Sequence, residues 1–295
     1  MPVSIDFKYR KPKDMKEAVT ILAEDPENSK ILAGGTDLLV YLKEDIISPS
    51  MIIDIKGIPD IEKIDFKNNI LTIGAGVSFT AVEESKEIRE HFRVLYESAA
   101  TVASIGIRNR ATVVGNICSA VPSLDAAPAL LLYDTKVHVM SVLGERIIDI
   151  QDWFVSPKKT ALKSNEIVTH LSITLPEKKS ASCYKKLGRY KGEDLAQAGL
   201  GVLVVEGNEY RIAVCAVGPV PTRAKKTEAF LRGKEIDESL TKEAQEIIAT
   251  EISPITDIRA SKEYRTHIIQ VMLERALKES NELLIGTKIK SEPIL

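Results

Sequence analysis

The sequence predicts an α+β fold in two parts, and three observations carry that prediction. Up to residue 55, short apolar strands alternate with short helices. Between residues 70 and 175, longer strands and a hairpin frame a stretch rich in small residues. After Pro176 the polar run Glu177-Lys178-Lys179-Ser180 interrupts the pattern; beyond it strands come first and helices last. With 295 residues, the chain is expected to form a domain over 1–176, with subdomains of about 1–57 and 58–176, and a second over 177–295.

Asp14 is placed to cap a helix whose apolar face carries Met15, Ala18, Val19 and Leu22. Lys30–Ala33 reads as a strand, Gly34-Gly35 as a turn, Leu38–Lys43 as a helix and Met51–Ile55 as a strand. Ile70–Ala75 is a further strand, and Ser78 or Thr80 can cap the short helix that follows. The apolar spacing predicts a helix over Val94–Ser104, a loop over Arg108–Pro128 and a short helix opening at Pro128. Lys136–Val142 and Arg146–Ile150 form a hairpin pattern, and Glu166–Leu175 another strand. In the second part, Ala198–Glu206 and Tyr210–Gly218 flank the turn pair Gly207-Asn208. Helices are predicted over Thr222–Leu231, Leu240–Thr250 and Ser261–Glu279.

Composition narrows the function. Hydrophobic residues make up 44%, ample for a packed core, and the charged 28% nearly cancel to a net −2. That balance, with only 5% aromatics, argues against nucleic acid. Cys118, Cys183 and Cys215 form no CxxC or Cys/His cluster, so no metal site is expected, and a reducing, cytoplasmic location fits. The polar start MPVSIDFKYRKPKD lacks an apolar signal core, and no apolar run reaches the ~20 residues of a membrane span.

Two segments have the chemistry of anion-binding loops. Ala33-Gly34-Gly35-Thr36-Asp37-Leu38 lies between a strand and a helix start, where successive N–H groups can form a nest; the alternative is a plain tight turn with Thr36 or Asp37 as its cap. The stretch RNRATVVGNICSAVPSLDAAP offers Thr112, Gly115, Asn116 and Ser119 to a phosphate. Asp125 is placed either to accept from a ribose hydroxyl or to cap the helix near Pro128. Two phosphate-suited segments in one chain favour a dinucleotide. Gly74-Ala75-Gly76 begins a GxGxxG but Phe79 fills its last position, and neither GxxxxGK[ST] nor HExxH occurs. His91, His138, His170 and His267 are scattered, and Cys118 has no visible partner for nucleophilic work. Tyr184 to Lys191 interleaves aromatics and cations, which suits either a planar cofactor or an amphipathic edge strand with solvated lysines.

Taken in order, ILAGGTDLL, IRNRATVVGNICSAVPSLDAAPAL, YKKLGRYKGEDLA and DIRASKEYR resemble the FAD-binding medium subunit of the xanthine dehydrogenase/molybdenum hydroxylase family, a group that includes carbon monoxide dehydrogenase medium chains. The resemblance implies a two-subdomain FAD domain of the vanillyl-alcohol-oxidase (PCMH) type and a C-terminal α+β domain with a three-stranded antiparallel sheet and helices. It implies noncovalent FAD, held by Ile31, Leu32 and Ala33 to Leu38 and by Thr112, Val114, Gly115, Asn116, Cys118 and Ser119, with Asp125 on ribose. Val102 and Val168 would line adenine or flavin, and Lys185, Tyr190 and Gln197 would approach the isoalloxazine. No residue of the chain is implied as a proton-transfer catalyst. The implied role is electron transfer, from a [2Fe–2S] small subunit through FAD to NAD, a quinone or another acceptor, with a molybdopterin-bearing large subunit oxidising substrate. A standalone flavin oxidoreductase and a flavin-free scaffold are the alternatives. Val114 stands where the family commonly has glycine; because a β-branched residue disfavours positive φ, the segment is expected to sit differently here.

Overall fold

Asp14 accepts from the Glu17 N–H and so starts the first helix, whose Ala18, Val19 and Leu22 are buried. The computed structural model describes residues 6–190 and 193–286. The outer ends of both expected domains and Lys191 of the aromatic–cation motif lie outside the described residues. The first subdomain runs β1 (Lys8–Arg10), α1 (Met15–Leu22), β2 (Ser29–Leu32), α2 (Leu38–Lys43) and β3 (Met51–Asp54). Its three strands are parallel, in the order β1-β3-β2.

The second subdomain contains β4 (Ile64–Lys67), β5 (Ile70–Gly74), α3 (Phe79–Glu84), α4 (Lys86–His91), α5 (Arg93–Ala100), α6 (Ile105–Arg108), α7 (Val113–Ser119) and α8 (Ala126–Leu132). It continues through β6 (Lys136–Ser141), β7 (Gly144–Asp149), α9 (Ile150–Trp153), β8 (Phe154–Ser156), β9 (Lys159–Thr160) and β10 (Ile167–Thr174). An antiparallel sheet of order β4-β5-β10-β6-β7 carries it. Two sequence expectations change here. The helix expected over Val94–Ser104 ends at Ala100, because Ala103 takes a φ of 40° and Ser104 caps a new helix, α6. The segment expected as a loop is half helix: Thr112 caps α7, and α8 begins at Ala126, so Pro128 sits inside the first turn, where it forfeits no helical hydrogen bond.

The C-terminal part contains β11 (Ser180–Leu187), β12 (Ala198–Val205), β13 (Glu209–Cys215), β14 (Thr222–Arg223), α10 (Lys225–Leu231), α11 (Glu238–Ala249) and α12 (Lys262–Ile285). Its sheet is antiparallel, with three long strands and the two-residue β14 added at the far edge. Thr222-Arg223 was expected to be helical, but it pairs with Ala213-Val214 instead. Gly207 and Asn208 both take positive φ, as the tight β12–β13 turn requires.

Every residue of β12 is buried. Such a strand needs cover on both faces. Leu200, Val202 and Val204 pack with Ile269, Leu273 and Ala276 of α12, while Leu203 and Val205 join the core of the first part. Helices α5 and α8 supply that second cover. The apolar core therefore runs across the break at 177–180, and burying each of these side chains stabilises the junction by roughly 1.5–3 kcal/mol. Among the described residues, no helix is long and apolar enough to cross a membrane.

Candidate functional site

The glycine loop follows β2, whose Leu32 carbonyl accepts from the Ile55 N–H. Gly35 takes a φ of +78°, a left-handed conformation open to glycine. Gly34 is needed for space instead: a Cβ there would lie 2.0 Å from the Arg110 carbonyl oxygen and 3.0 Å from the Ala111 Cα. The backbone of the first small-residue segment thus presses directly on the start of the second. Asp37, at the mouth of α2, makes no side-chain cap. Ile31, Leu32, Ala33, Thr36 and Leu38 are half-buried around the turn.

The second segment is fastened to the link between β5 and α3. The Val113 N–H donates to the Val77 carbonyl, and the Phe79 N–H to the Ala111 carbonyl. Thr112 Oγ1 accepts from the Gly115 N–H at 2.9 Å, fixing the first turn of α7. Val114 lies in that turn, buried, with helical backbone and no positive φ. The expectation that its β-branch would disturb the segment is corrected: a helix accommodates valine. Ser119 Oγ is occupied within the helix by the Asn116 carbonyl. Burial pushes the Cys118 thiol up to about 12, which makes it an inert packing residue.

One polar atom in this turn is left over. Asn116 Oδ1 is buried and has no hydrogen-bond partner among the described residues. Buried polar atoms are nearly always paired, so an orphan beside a cradle of small residues calls for an external partner. An amide can present either its acceptor or its donor end, so this position suits a sugar hydroxyl or a phosphate oxygen. The orphaned amide and the left-handed backbone of Gly35 fit a polar ligand such as a dinucleotide.

Asp125 has a different setting from the one expected. Its oxygens accept from Tyr184 Oη and Lys186 Nζ, both at 2.8 Å. It neither caps α8 nor presents a free carboxylate. Burial raises its carboxyl pKa, and Lys186 and Tyr184 oppose that rise. Lys186, which sequence reasoning passed over, also donates to the Thr101 carbonyl at 2.8 Å. Arg108 donates to the carbonyls of Val102 and Ala103. The Val102 turn is thus held from two sides, while buried Val168 lies on β10.

Lys185 is turned the other way. Alternation along β11 sends Tyr184 and Lys186 toward the first domain, and Cys183 and Lys185 toward α12. The Lys185 ammonium pairs with Glu279. The Tyr190 ring is 71% exposed with the Arg189 guanidinium over it. Gln197 is buried at the start of β12, its N–H donating to the Leu187 carbonyl. Strand β11 is an edge strand, yet neither Lys185 nor Lys186 is solvated as such an edge would suggest. Within the Tyr184–Tyr190 run, the signal of Lys186's role is its register: it shares the face of Tyr184.

Known proteins are similar to this chain in sequence and fold. Residues 5–178 match the family described as the FAD binding domain in molybdopterin dehydrogenase. Residues 182–280 match the CO dehydrogenase flavoprotein C-terminal domain. The chain is 29% identical over 278 residues to the xanthine dehydrogenase FAD-binding subunit of Escherichia coli O157:H7, covering 92% of this chain and 95% of that one. It is 28% identical over 291 residues to the nicotinate dehydrogenase FAD-subunit of Eubacterium barkeri, covering 95% and 98%. A carbon monoxide dehydrogenase structure from Hydrogenophaga pseudoflava superposes with a TM-score of 0.90 at 28% identity, covering 95% of this chain and 98% of that one. The chain belongs to the FAD-binding domain family of the molybdopterin dehydrogenases and is a flavoprotein oxidoreductase subunit.

Proposed function

We propose that the chain binds FAD noncovalently and serves as the electron-transfer subunit of a molybdenum hydroxylase complex. In this reading a [2Fe–2S] subunit delivers electrons and a molybdopterin-bearing large subunit oxidises substrate. NAD or a quinone is the acceptor. Bound FAD would supply the redox chemistry; the chain supplies binding, orientation and exclusion of water. The proposal divides the chain at 176/177, with the cofactor held mainly by the first domain.

The observation that carries the reading is the packing of Gly34 onto Arg110-Ala111. It joins two segments of small residues, about 75 positions apart in sequence, into one backbone-lined cradle. Ala33 to Leu38 and Thr112 to Asn116 would hold the diphosphate. Asn116 would take a ligand oxygen or hydroxyl with the amide end left unpaired. Val102 and Val168 would offer apolar surface to a ring, and Gln197 and Tyr190 would lie toward the isoalloxazine. Lys186, Asp125 and Arg108 touch no ligand in this scheme; they hold the Val102 turn in place.

The test is to purify the chain, titrate it with FAD and record the visible spectrum and flavin fluorescence. Stoichiometric binding that acid precipitation releases as free FAD is expected. A protein that takes up no flavin refutes the reading. Reduction of the bound flavin by an organic substrate with the chain alone would replace the subunit role by that of a standalone oxidoreductase.

A further inference from the structure

Arg265 is 2% exposed, a cation in the interior of the C-terminal domain. It belongs to the DIRASKEYR segment, to which the proposed cofactor site assigns no task. Its Nη1 donates to the carbonyls of Gln197, at 2.8 Å, and Ala216, at 3.1 Å. Its Nη2 donates to Asp257 Oδ1 at 2.7 Å. Asp257 is itself locked, accepting from the N–H groups of Arg259 and Ala260 and from the Arg259 guanidinium.

The two carbonyls lie at one end of the sheet, where Gly199 pairs with Cys215. Gln197 leads into β12, and its N–H closes the neck between β11 and β12 on the Leu187 carbonyl. Ala216 follows β13, and its N–H donates to the Pro122 carbonyl at 2.7 Å, in the link between α7 and α8. Ala216 takes a φ of +63°, which a residue with a Cβ adopts only when its surroundings hold it there. One guanidinium therefore grips the entry to Gln197 and the contact to the α7–α8 link at the same time. An apolar side chain would leave both carbonyls unpaired. A lysine has no planar fork to serve three acceptors from one position.

We propose that Arg265 is a positioning residue for the bound flavin. It touches no part of the cofactor; it sets the backbone of Gln197 and, through Ala216, that of Pro122. The inference rests on the FAD reading above and adds a purpose for the left-handed backbone of Ala216.

The experiment compares wild type, Arg265→Lys and Arg265→Met as full-length chains. Three quantities are measured: FAD affinity by fluorescence quenching, the visible circular dichroism of bound flavin, and hydrogen exchange of the FAD-free protein. Arg265→Lys is expected to weaken FAD binding by about tenfold or more, the equivalent of one charge-assisted hydrogen bond. It should change the flavin dichroism and speed exchange at 194–199 and 216–218, leaving α11 unaffected. Arg265→Met should show the same pattern more strongly. Affinity within about twofold of wild type with unchanged dichroism overturns the inference. So does unfolding of Arg265→Lys, or faster exchange spread evenly over the C-terminal domain, since either assigns Arg265 a purely structural role. A wild-type chain that binds no FAD overturns the FAD reading itself, a result distinct from an unaffected variant.

Discussion

Replacing Gly34 by alanine isolates the contact on which the cofactor site depends. The φ of Gly34 is not in the left-handed region, so alanine meets no conformational penalty there. The whole effect comes from space. The new Cβ would sit 2.0 Å from the Arg110 carbonyl oxygen, whereas ordinary contact begins at 3.4 Å, so the two backbones must part by roughly 1.4 Å. Both are tied down: the Ile55 N–H holds Leu32, and the Phe79 N–H holds Ala111. Overpacking of this kind costs about 1–3 kcal/mol, and if it falls on the cradle it weakens FAD by roughly 5- to 150-fold. Fluorescence titration with FAD reads this directly, and a thermal melt of the FAD-free protein reports how much falls on stability instead. Gly106→Ala is the matched control. It lies in α6, only the Ser104 hydroxyl approaches its added Cβ, at 3.9 Å, and removing a helical glycine should be neutral or stabilise by about 0.5–1 kcal/mol. Wild-type affinity in Gly34→Ala, or equal losses in both variants, would refute the joined-segment cradle.

Three further outcomes are expected. Val114→Gly should destabilise by about 2–4 kcal/mol, from a glycine inside a helix and a lost buried valine, in a denaturant melt; a stabilised variant would mean the α7 turn needs positive φ after all. Lys186→Met leaves the Asp125 carboxylate buried without its cation and should cost about 3–5 kcal/mol, part of which Asp125→Asn restores; strictly additive losses in a double-mutant cycle would show the pair to be uncoupled. His138 and His170 stack at 4.0 Å on adjacent strands, and burial holds both imidazoles below the usual histidine range, His138 further lowering His170. The folded state thus favours neutral rings, so stability is full above the unfolded value of about 6.5 and declines as pH falls below it. His170→Gln should flatten the fall in urea midpoint between pH 7.5 and 5.5; an already flat wild-type profile would contradict this.

Much of the fold was legible locally. The Asp14 cap, the Leu38–Lys43 helix and the Gly207-Asn208 turn follow from short-range chemistry, and the structure has all three. The Arg108–Pro128 segment was harder. Small residues read as loop because they lack an apolar stripe, yet Thr112 capping and packing against β10 suffice to make α7. Asp125 and Lys185 have contacts that the sequence does not reveal, for a related reason. Their partners, Tyr184 with Lys186 and Glu279, come from other elements, about 60 and 94 positions away.

By itself, the sequence determined where the small-residue segments, tight turns and helix caps lie, because glycine, small side chains and capping residues act within a few positions of themselves. It also determined the family, because four motifs occur in a fixed order. Only the tertiary structure decided that Gly34 lies against Arg110, that Lys186 rather than Lys185 faces the first domain, and that Arg265 clasps two strand ends. Those facts depend on sheet register and on which helices cover β12, and both are set by burial of apolar surface between elements distant in the chain.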